Sequence, residues 1–274
     1  MTDQYAVMGN PIAHSKSPSI HRRFAADAGL DLRYDALLVP LDGFSSAVSG
    51  FFAAGGKGLN ITVPFKQEAW AMAKVLSPQA QRAGAVNTLL IADGQLVGHN
   101  TDGSGLVRDI KANWHGELAG KRLLVLGAGG ATRGIIESLL AEQPQELVIA
   151  NRTVARAEAL AALFSPLGNV SACGYEGLSG HQFDWVINAT SASLQGELPP
   201  LPQNLLASGA WGYDLMYASE PTVFCRWALD NGARIAADGL GMLVEQAAEA
   251  FSLWTGIRPA TAELLNEMRQ SVSP

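Results

Sequence analysis

The chain has only two cysteines in 274 residues, Cys173 and Cys225, and neither belongs to a CxxC pair or has a histidine at ligand spacing. That excludes a disulfide framework and a cysteine-based zinc site, and no metal is expected. Positive charge is also scarce: 19 Lys and Arg stand against 25 Asp and Glu, for a net charge of −6. Nonspecific binding to nucleic acid or to anionic membranes is therefore not expected, and the basic residues that bind anions should be gathered at a site. No apolar run approaches the roughly 20 residues needed to cross a bilayer. The first residues run directly into Tyr5-Ala6-Val7-Met8-Gly9 with no charged, apolar and cleavable leader pattern, so the chain reads as cytoplasmic. Repeats, low-complexity tracts and long charged linkers are absent as well. What remains is 48% hydrophobic residues, enough to fill one large core or two modest ones.

The most informative segment is Leu123 to Arg133, LLVLGAGGATR. Leu123-Leu124-Val125-Leu126 is short, branched and apolar, as a parallel strand covered on both faces should be. Gly127 suits a tight turn, Gly129 lets backbone approach a pyrophosphate, and Gly130-Ala131 keep the following helix close to the sheet. Phosphates would sit on the free N–H groups of that helix's first turn, where the helix dipole favours negative charge. Thr132 occupies the position where a third glycine is usual, which leaves the closeness of helix-to-strand packing open.

About two dozen residues downstream, after the strand Glu146 to Ala150, a unit that binds NAD would carry an acid for the ribose hydroxyls. This chain has Asn151-Arg152-Thr153, with Arg156 one helical turn on. Two guanidiniums and a hydroxyl suit a 2′-phosphate, which an acid would repel, so NADP is favoured over NAD.

The first hundred residues alternate strand-like segments (Tyr5 to Met8, Tyr34 to Val39, Gly58 to Val63, Val86 to Ile91, Gln95 to Val97) with helix-like ones (Ser17 to Ala28, Asp42 to Ala54, Lys66 to Val75). Ser17-Pro18 and Asp42 read as helix starts. Thr101 to Asn113 reads as a helix connecting two domains. Beyond Leu123 and Glu146, further strands are expected at Val170 to Cys173, Trp185 to Ala189, Trp211 to Leu215 and Arg234 to Ala236, with helices at Val154 to Phe164 and Pro221 to Asn231. Six strands complete a doubly wound sheet. Apolar residues at helical spacing follow in Leu240 to Trp254, with a final helix at Ala260 to Met268. The expectation is an α/β protein of two domains: residues 1–101 plus 240–274 for substrate and catalysis, and 102–239 as a Rossmann-type NADP-binding domain.

Polar clusters in the N-terminal half supply candidates for chemistry. Ser15 and Ser17 lie in a loop before a helix, where they either cap it or hold a carboxylate near its positive end. Thr62 lies near the end of the strand Gly58 to Val63 and Lys66 at the start of the next helix, and strand ends are where open α/β sheets place ligands. A lysine in a first helical turn opposes the dipole, so it is either simply solvated or has another task. Asn87-Thr88 and Asn100-Thr101-Asp102-Gly103 complete the set, Asn100 or Thr101 serving equally well as an ordinary cap.

Read in order, GNPIAHSKSP, NITVPFK at Asn60 to Lys66, GAVNT at Gly84 to Thr88, NTDG at Asn100 to Gly103, GAGGA at Gly127 to Ala131, NRT at Asn151 to Thr153, INATS at Ile187 to Ser191, YDLMY at Tyr213 to Tyr217 and ADGLGMLVEQAA at Ala237 to Ala248 resemble the shikimate dehydrogenase family over nearly the whole chain. The resemblance implies two α/β domains with a cleft between them and NADPH-dependent reduction of 3-dehydroshikimate to shikimate, a step of chorismate and aromatic amino-acid biosynthesis. It implies that Ser15 and Ser17 hold the substrate carboxylate, that Thr62, Asn87, Tyr217 and Gln246 surround the ring hydroxyls, and that Lys66 and Asp102 are the catalytic pair. Gly127, Ala128, Gly129, Gly130 and Ala131 would cradle the pyrophosphate. Asn151, Arg152, Thr153 and Arg156 would take the 2′-phosphate, and Ala189, Thr190, Leu215 and Gly239 would line the rest of the NADP(H) path. The partners implied are small molecules, with no nucleic acid or membrane, in a monomer or homodimer. Ala218 to Phe224 departs from the family's usual pattern and leaves that loop open. A quinate/shikimate dehydrogenase of dual cofactor use and a noncatalytic NADP-binding regulator on the same fold are the alternatives.

Overall fold

Short apolar strands and intervening helices form two separate six-stranded sheets in the computed structural model, which describes residues 2–272. The chain divides into two compact units, one of Met1–Gly105 and Val244–Leu264, the other of Leu106–Leu243 and Leu265–Pro274.

In the first unit the chain order is β1 (Asp3–Gly9), α1 (Ser17–Asp27), β2 (Leu32–Leu38), α2 (Phe44–Ala53), β3 (Gly58–Ile61), α3 (Lys66–Met72), β4 (Val75–Leu76), α4 (Pro78–Ala83), β5 (Thr88–Ala92) and β6 (Gln95–His99), after which α5 (Asp102–Arg108) begins. The sheet runs β2-β1-β3-β5-β6-β4. Strand β1 pairs in parallel with β2 and β3, whereas β5 is antiparallel to both β3 and β6. The reversal comes from a two-residue turn at Asp93-Gly94, both with positive φ, as a tight hairpin requires. This topology has a consequence for function. The carboxyl ends of β1, β3 and β6 and the start of β5 all meet at one end of the sheet, and the polar clusters sit there. Phe44, Phe65, Leu59, Ile61, Val86 and Leu89 fill the core on one face.

Several local expectations are corrected. Helix α1 begins at Ser17 with Lys16 at the cap position and no side-chain cap bond; Ser15 Oγ instead accepts from the Ser17 N–H at 3.3 Å. Asp42 does not cap α2, because a turn closed by Gly43 N–H to the Pro40 carbonyl makes Gly43 the cap residue. The helix expected to reach Val75 stops at Met72, since Val75–Leu76 pairs with β6. The short helix α4 escapes a reading by periodicity although its signals are complete: Ser77 Oγ accepts from Ala80 N–H, Pro78 follows, and Gly84 closes it in the left-handed conformation. Six residues are too few to show a helical period.

The second unit follows with β7 (Arg122–Leu126), α6 (Gly130–Ala141), β8 (Glu146–Ala150), α7 (Val154–Phe164), β9 (Val170–Cys173), β10 (Phe183–Asn188), β11 (Leu206–Asp214), α8 (Val223–Asp230) and β12 (Ile235–Ala237). All its strands are parallel in the order β12-β11-β10-β7-β8-β9, so the winding reverses between β7 and β10, where such sheets bind their ligands. Alternate strand residues feed two cores, Leu123, Val125, Ile149 and Ile187 on one face and Leu124, Leu126, Val148 and Val186 on the other. Thr132, buried at the unusual glycine position, donates its hydroxyl to the Gly127 carbonyl at 2.9 Å and so ties α6 to the turn.

Helix α5 does not continue to Asn113 as a regular helix. Asp109–Asn113 is a π-turn, with the buried Asp109 carboxylate accepting from Tyr213 Oη at 2.6 Å and from Asn113 Nδ2 at 2.9 Å. The chain closes with α9 (Leu240–Thr255) and α10 (Ala262–Val272). Among the described residues no helix is long and apolar enough to cross a membrane, and no group of three or more His, Cys, Asp or Glu is arranged to hold a metal.

Candidate active site

At the polar end of the first unit's sheet, Lys66 opens α3 directly after the β3 segment, and its carbonyl accepts from Val86 N–H, which draws the start of α3 toward the chain entering β5. Its Nζ lies 2.6 Å from Asp102 Oδ2. Asp102 itself starts α5, its N–H donating to Asn100 Oδ1, and Asn100 Nδ2 is anchored on the Ala85 carbonyl. The second carboxylate oxygen, Oδ1, accepts from Asn87 Nδ2 at 2.9 Å. The lysine side chain keeps 27% of its exposure and the aspartate 11%, so the pair is reachable from solution yet largely desolvated. An ammonium held in this way is oriented by its carboxylate partner.

Asn87 is the hub. Its Oδ1 accepts from Thr101 N–H, Thr101 Oγ1 and Thr88 Oγ1, while its Nδ2 also reaches Thr101 Oγ1 at 3.0 Å and Gln246 Oε1 at 3.5 Å. Gln246 comes close because Gly105 lacks a side chain: a Cβ there would stand 2.7 Å from the Gln246 backbone nitrogen. The fold thus gathers Lys66, Asn87, Asp102 and Gln246. Thr62 stands at the carboxyl end of β3, its N–H on the Met8 carbonyl, while Ser15 and the buried Ser17 lie at the start of α1. Tyr217 belongs to the second unit, where burial first, and Asp238 second, raise its phenol above the usual range.

Residues outside the expected site set join this cluster. Tyr34 Oη donates to Asn60 Oδ1 at 2.7 Å, and Asn60 Nδ2 donates to the Asn87 carbonyl and to Thr88 Oγ1, both at 3.2 Å. A polar residue between Leu59 and Ile61 in a strand buried at every position is the available signal for Asn60. Tyr34 offers none.

In the second unit Gly127 adopts φ +102°, which favours glycine, and its N–H bonds to the Ala150 carbonyl. A Cβ on Gly129 or Gly130 would meet nothing within 4 Å, and α6 starts with no side-chain cap at Gly129. The turn is therefore open just where N–H groups are free to receive an anion. Asn151 Nδ2 holds the Thr153 carbonyl; Arg152, just after β8, and Arg156, in the first turn of α7, are both exposed. Asn151, Arg152 and Thr190 line a pocket of about 350 Å³ together with Tyr175 and Gln195, which carry no mark in the sequence.

The loops after β10 and β11 are tied by a buried group. Asp214 accepts from Asn188 Nδ2, Met216 N–H and Thr222 Oγ1, and Asn188 Oδ1 in turn accepts from Thr190. Burial raises the Asp214 carboxyl above its usual range, and these donors oppose that rise. Leu215 and Gly239 meet closely, since a Cβ on Gly239 would run into the Leu215 carbonyl oxygen. The unusual Ala218 to Phe224 stretch is anchored through Thr222, which also caps α8 by accepting from Cys225 N–H.

Three family models match in chain order: the shikimate dehydrogenase substrate binding domain over residues 7–89, shikimate / quinate 5-dehydrogenase over 109–195, and the shikimate 5′-dehydrogenase C-terminal domain over 239–269. The chain is 60% identical to the shikimate dehydrogenase (NADP(+)) of Alkalilimnicola ehrlichii, over 98% of this chain and 99% of that one. Among solved structures, it is similar to an Ael1 enzyme from Pseudomonas putida, with a TM-score of 0.91 at 47% identity over 97% of this chain and 98% of that one. It is also similar to the shikimate 5-dehydrogenase of Thermus thermophilus in complex with NADP(H) and shikimate, with a TM-score of 0.88 at 35% identity over 99% and 100% of the two chains. With a lysine and aspartate paired at one sheet end, an open glycine turn at the other sheet's switch point, and relatives matched over almost their full length, this chain belongs to the shikimate dehydrogenase family.

Proposed function

We propose that the chain catalyses the reversible reduction of 3-dehydroshikimate to shikimate with NADPH, on the route to chorismate and the aromatic amino acids, as a cytoplasmic enzyme. The observation that carries the chemistry is the Lys66–Asp102 pair at 2.6 Å with Asn87 on the remaining carboxylate oxygen. NADPH, when bound, supplies the hydride that arrives at the substrate's C3 carbonyl carbon. Negative charge then grows on the carbonyl oxygen, and that oxygen needs both a cation and a proton. Lys66 provides both from one ammonium group. Asp102 orients that ammonium and shares the hydroxyl proton in the reverse direction.

The other residues position. Ser15 and Ser17 hold the substrate carboxylate near the N-terminus of α1, and Thr62, Asn87, Gln246 and Tyr217 take the ring hydroxyls. Gly127 to Ala131 hold the pyrophosphate, a role supported by the open space at Gly129 and Gly130. Asn151, Arg152, Thr153 and Arg156 hold the 2′-phosphate, and Ala189, Thr190, Leu215 and Gly239 line the remaining path.

The test is the absorbance of reduced nicotinamide when purified protein meets shikimate or quinate with NADP⁺ or NAD⁺, in all four pairings. Fast reduction with shikimate and NADP⁺ alone is expected. Comparable rates with quinate or NAD⁺ would place the chain on the dual-specificity branch, and silence in all four would favour a binding regulator.

A further inference from the structure

Hydrogen-bond directions around Asn60 and Asn87 are fixed by backbone groups. The Asn87 carbonyl can only accept, so the Asn60 atom 3.2 Å from it must be Nδ2, and Oδ1 must face Tyr34. An amide oxygen cannot donate; the Tyr34 hydroxyl therefore gives its proton to Asn60. Likewise the Thr101 N–H can only donate, which identifies the Asn87 atom 3.0 Å away as Oδ1 and turns Nδ2 toward Asp102. Thr88 Oγ1 receives a proton from Asn60 Nδ2 at 3.2 Å and passes its own to Asn87 Oδ1 at 3.0 Å. The series Tyr34, Asn60, Thr88, Asn87, Asp102 is thus a chain in which each group donates to the next, ending on the carboxylate that holds Lys66. Tyr34, Asn60, Asn87, Thr88 and Asp102 are all buried, and in a low-dielectric interior such chains polarise cooperatively.

We propose that Tyr34, Asn60 and Thr88 are positioning residues for the acid–base pair, acting through Asn87 to hold the Asp102 carboxylate in place and aimed at Lys66. The inference rests on Lys66 and Asp102 being that pair. The described groups bonded to the Asp102 carboxylate are the Lys66 ammonium from α3 and the neutral Asn87 amide, so a change in the Asn87 donor alters the carboxylate directly. His21, stacked on Tyr34 with centroids 4.3 Å apart, adds no titration near neutrality, since burial holds it down at about 3.

The test uses the whole protein in the shikimate and NADP⁺ assay. Tyr34→Phe deletes one oxygen and keeps the ring on His21. Turnover is expected to fall about tenfold, as for a lost buried hydrogen bond, with KM for NADP⁺ unchanged. A weaker donor to Asp102 favours its protonated form, so the acid limb of the kcat–pH profile is expected to move to higher pH by about half a unit. Thr88→Val cuts the chain in the middle and should shift the limb the same way, whereas Thr88→Ser keeps the hydroxyl and should restore it. The Thr88 pair decides the matter if Tyr34→Phe does not fold. Lys66→Met serves as the reference, with an expected loss of about a hundredfold or more. If the limb stays in place in both Tyr34→Phe and Thr88→Val while Lys66→Met is crippled, the relay is wrong and the acid–base reading stands; a lower melting temperature with an unmoved limb overturns the relay in the same way. Near-normal turnover of Lys66→Met overturns the reading underneath it.

Discussion

His21 has no exposed surface and lies among aromatic rings: stacked on Tyr34, edge-on to Phe24, and close to Phe251 and Trp254. Burial lowers its pKa from 6.5 to about 3. Between those values the unfolded chain binds the proton and the folded chain refuses it, so stability falls as pH drops through that window, by about 1.4 kcal/mol per unit. His21→Phe keeps the stacking and removes the proton site. Urea unfolding at several pH values from 7 to 4 should show the native protein losing stability faster than the variant as pH falls; parallel slopes would mean that the imidazole is not held neutral. The residue scale is also where sequence reading is strongest and weakest at once. Lys66 stands out because a cation in a first helical turn opposes the dipole. Tyr34 carries no such mark, being an aromatic residue between Arg33 and Asp35 in an ordinary strand pattern, whose hydroxyl gains meaning only when Asn60 of another strand arrives opposite it.

At the scale of elements, the π-turn Asp109–Asn113 illustrates how tertiary contacts override local propensity. Its apolar spacing continues that of α5, yet Asp109 is fully buried against Tyr213 and against the start of α9, where a Cβ on Gly241 would collide with Asp109 Oδ1. Gly241→Ala should therefore destabilise the fold by about 3 kcal/mol through overpacking against a buried carboxylate. Gly50→Ala, in α2 and with nothing within 4 Å of the added carbon, should instead be neutral or stabilise by up to about 1 kcal/mol. Urea midpoints of the two variants check the pair, and equal effects would dissolve the contrast. Elements are legible in the sequence where they are long and periodic, as α7 is from Val154 to Phe164. The two-residue β4 and the six-residue α4 are not, because neither is long enough to carry a period.

For the whole molecule the measurable quantity is how cofactor binding adds to stability. NADPH at about a hundred times its Kd should add about 2.7 kcal/mol, and NADH at the same concentration less, because it lacks the phosphate that Arg152 would hold. Arg152→Ala should erase most of that difference in melting temperature; equal losses for both cofactors would put the phosphate site elsewhere. Local patterns in the chain were enough for the two α/β sheets, the parallel doubly wound order of the second, the open glycine turn and the family, because these rest on strand periodicity, backbone freedom and short motifs. It took the folded chain to reveal that the first sheet is mixed, that Lys66 and Asp102 meet at 2.6 Å across a sequence separation of 36, and that Tyr34 reaches Asp102 through three other side chains. Those are statements about which strand ends lie side by side. They follow from strand pairing and burial acting over long sequence separations, and no local pattern encodes them.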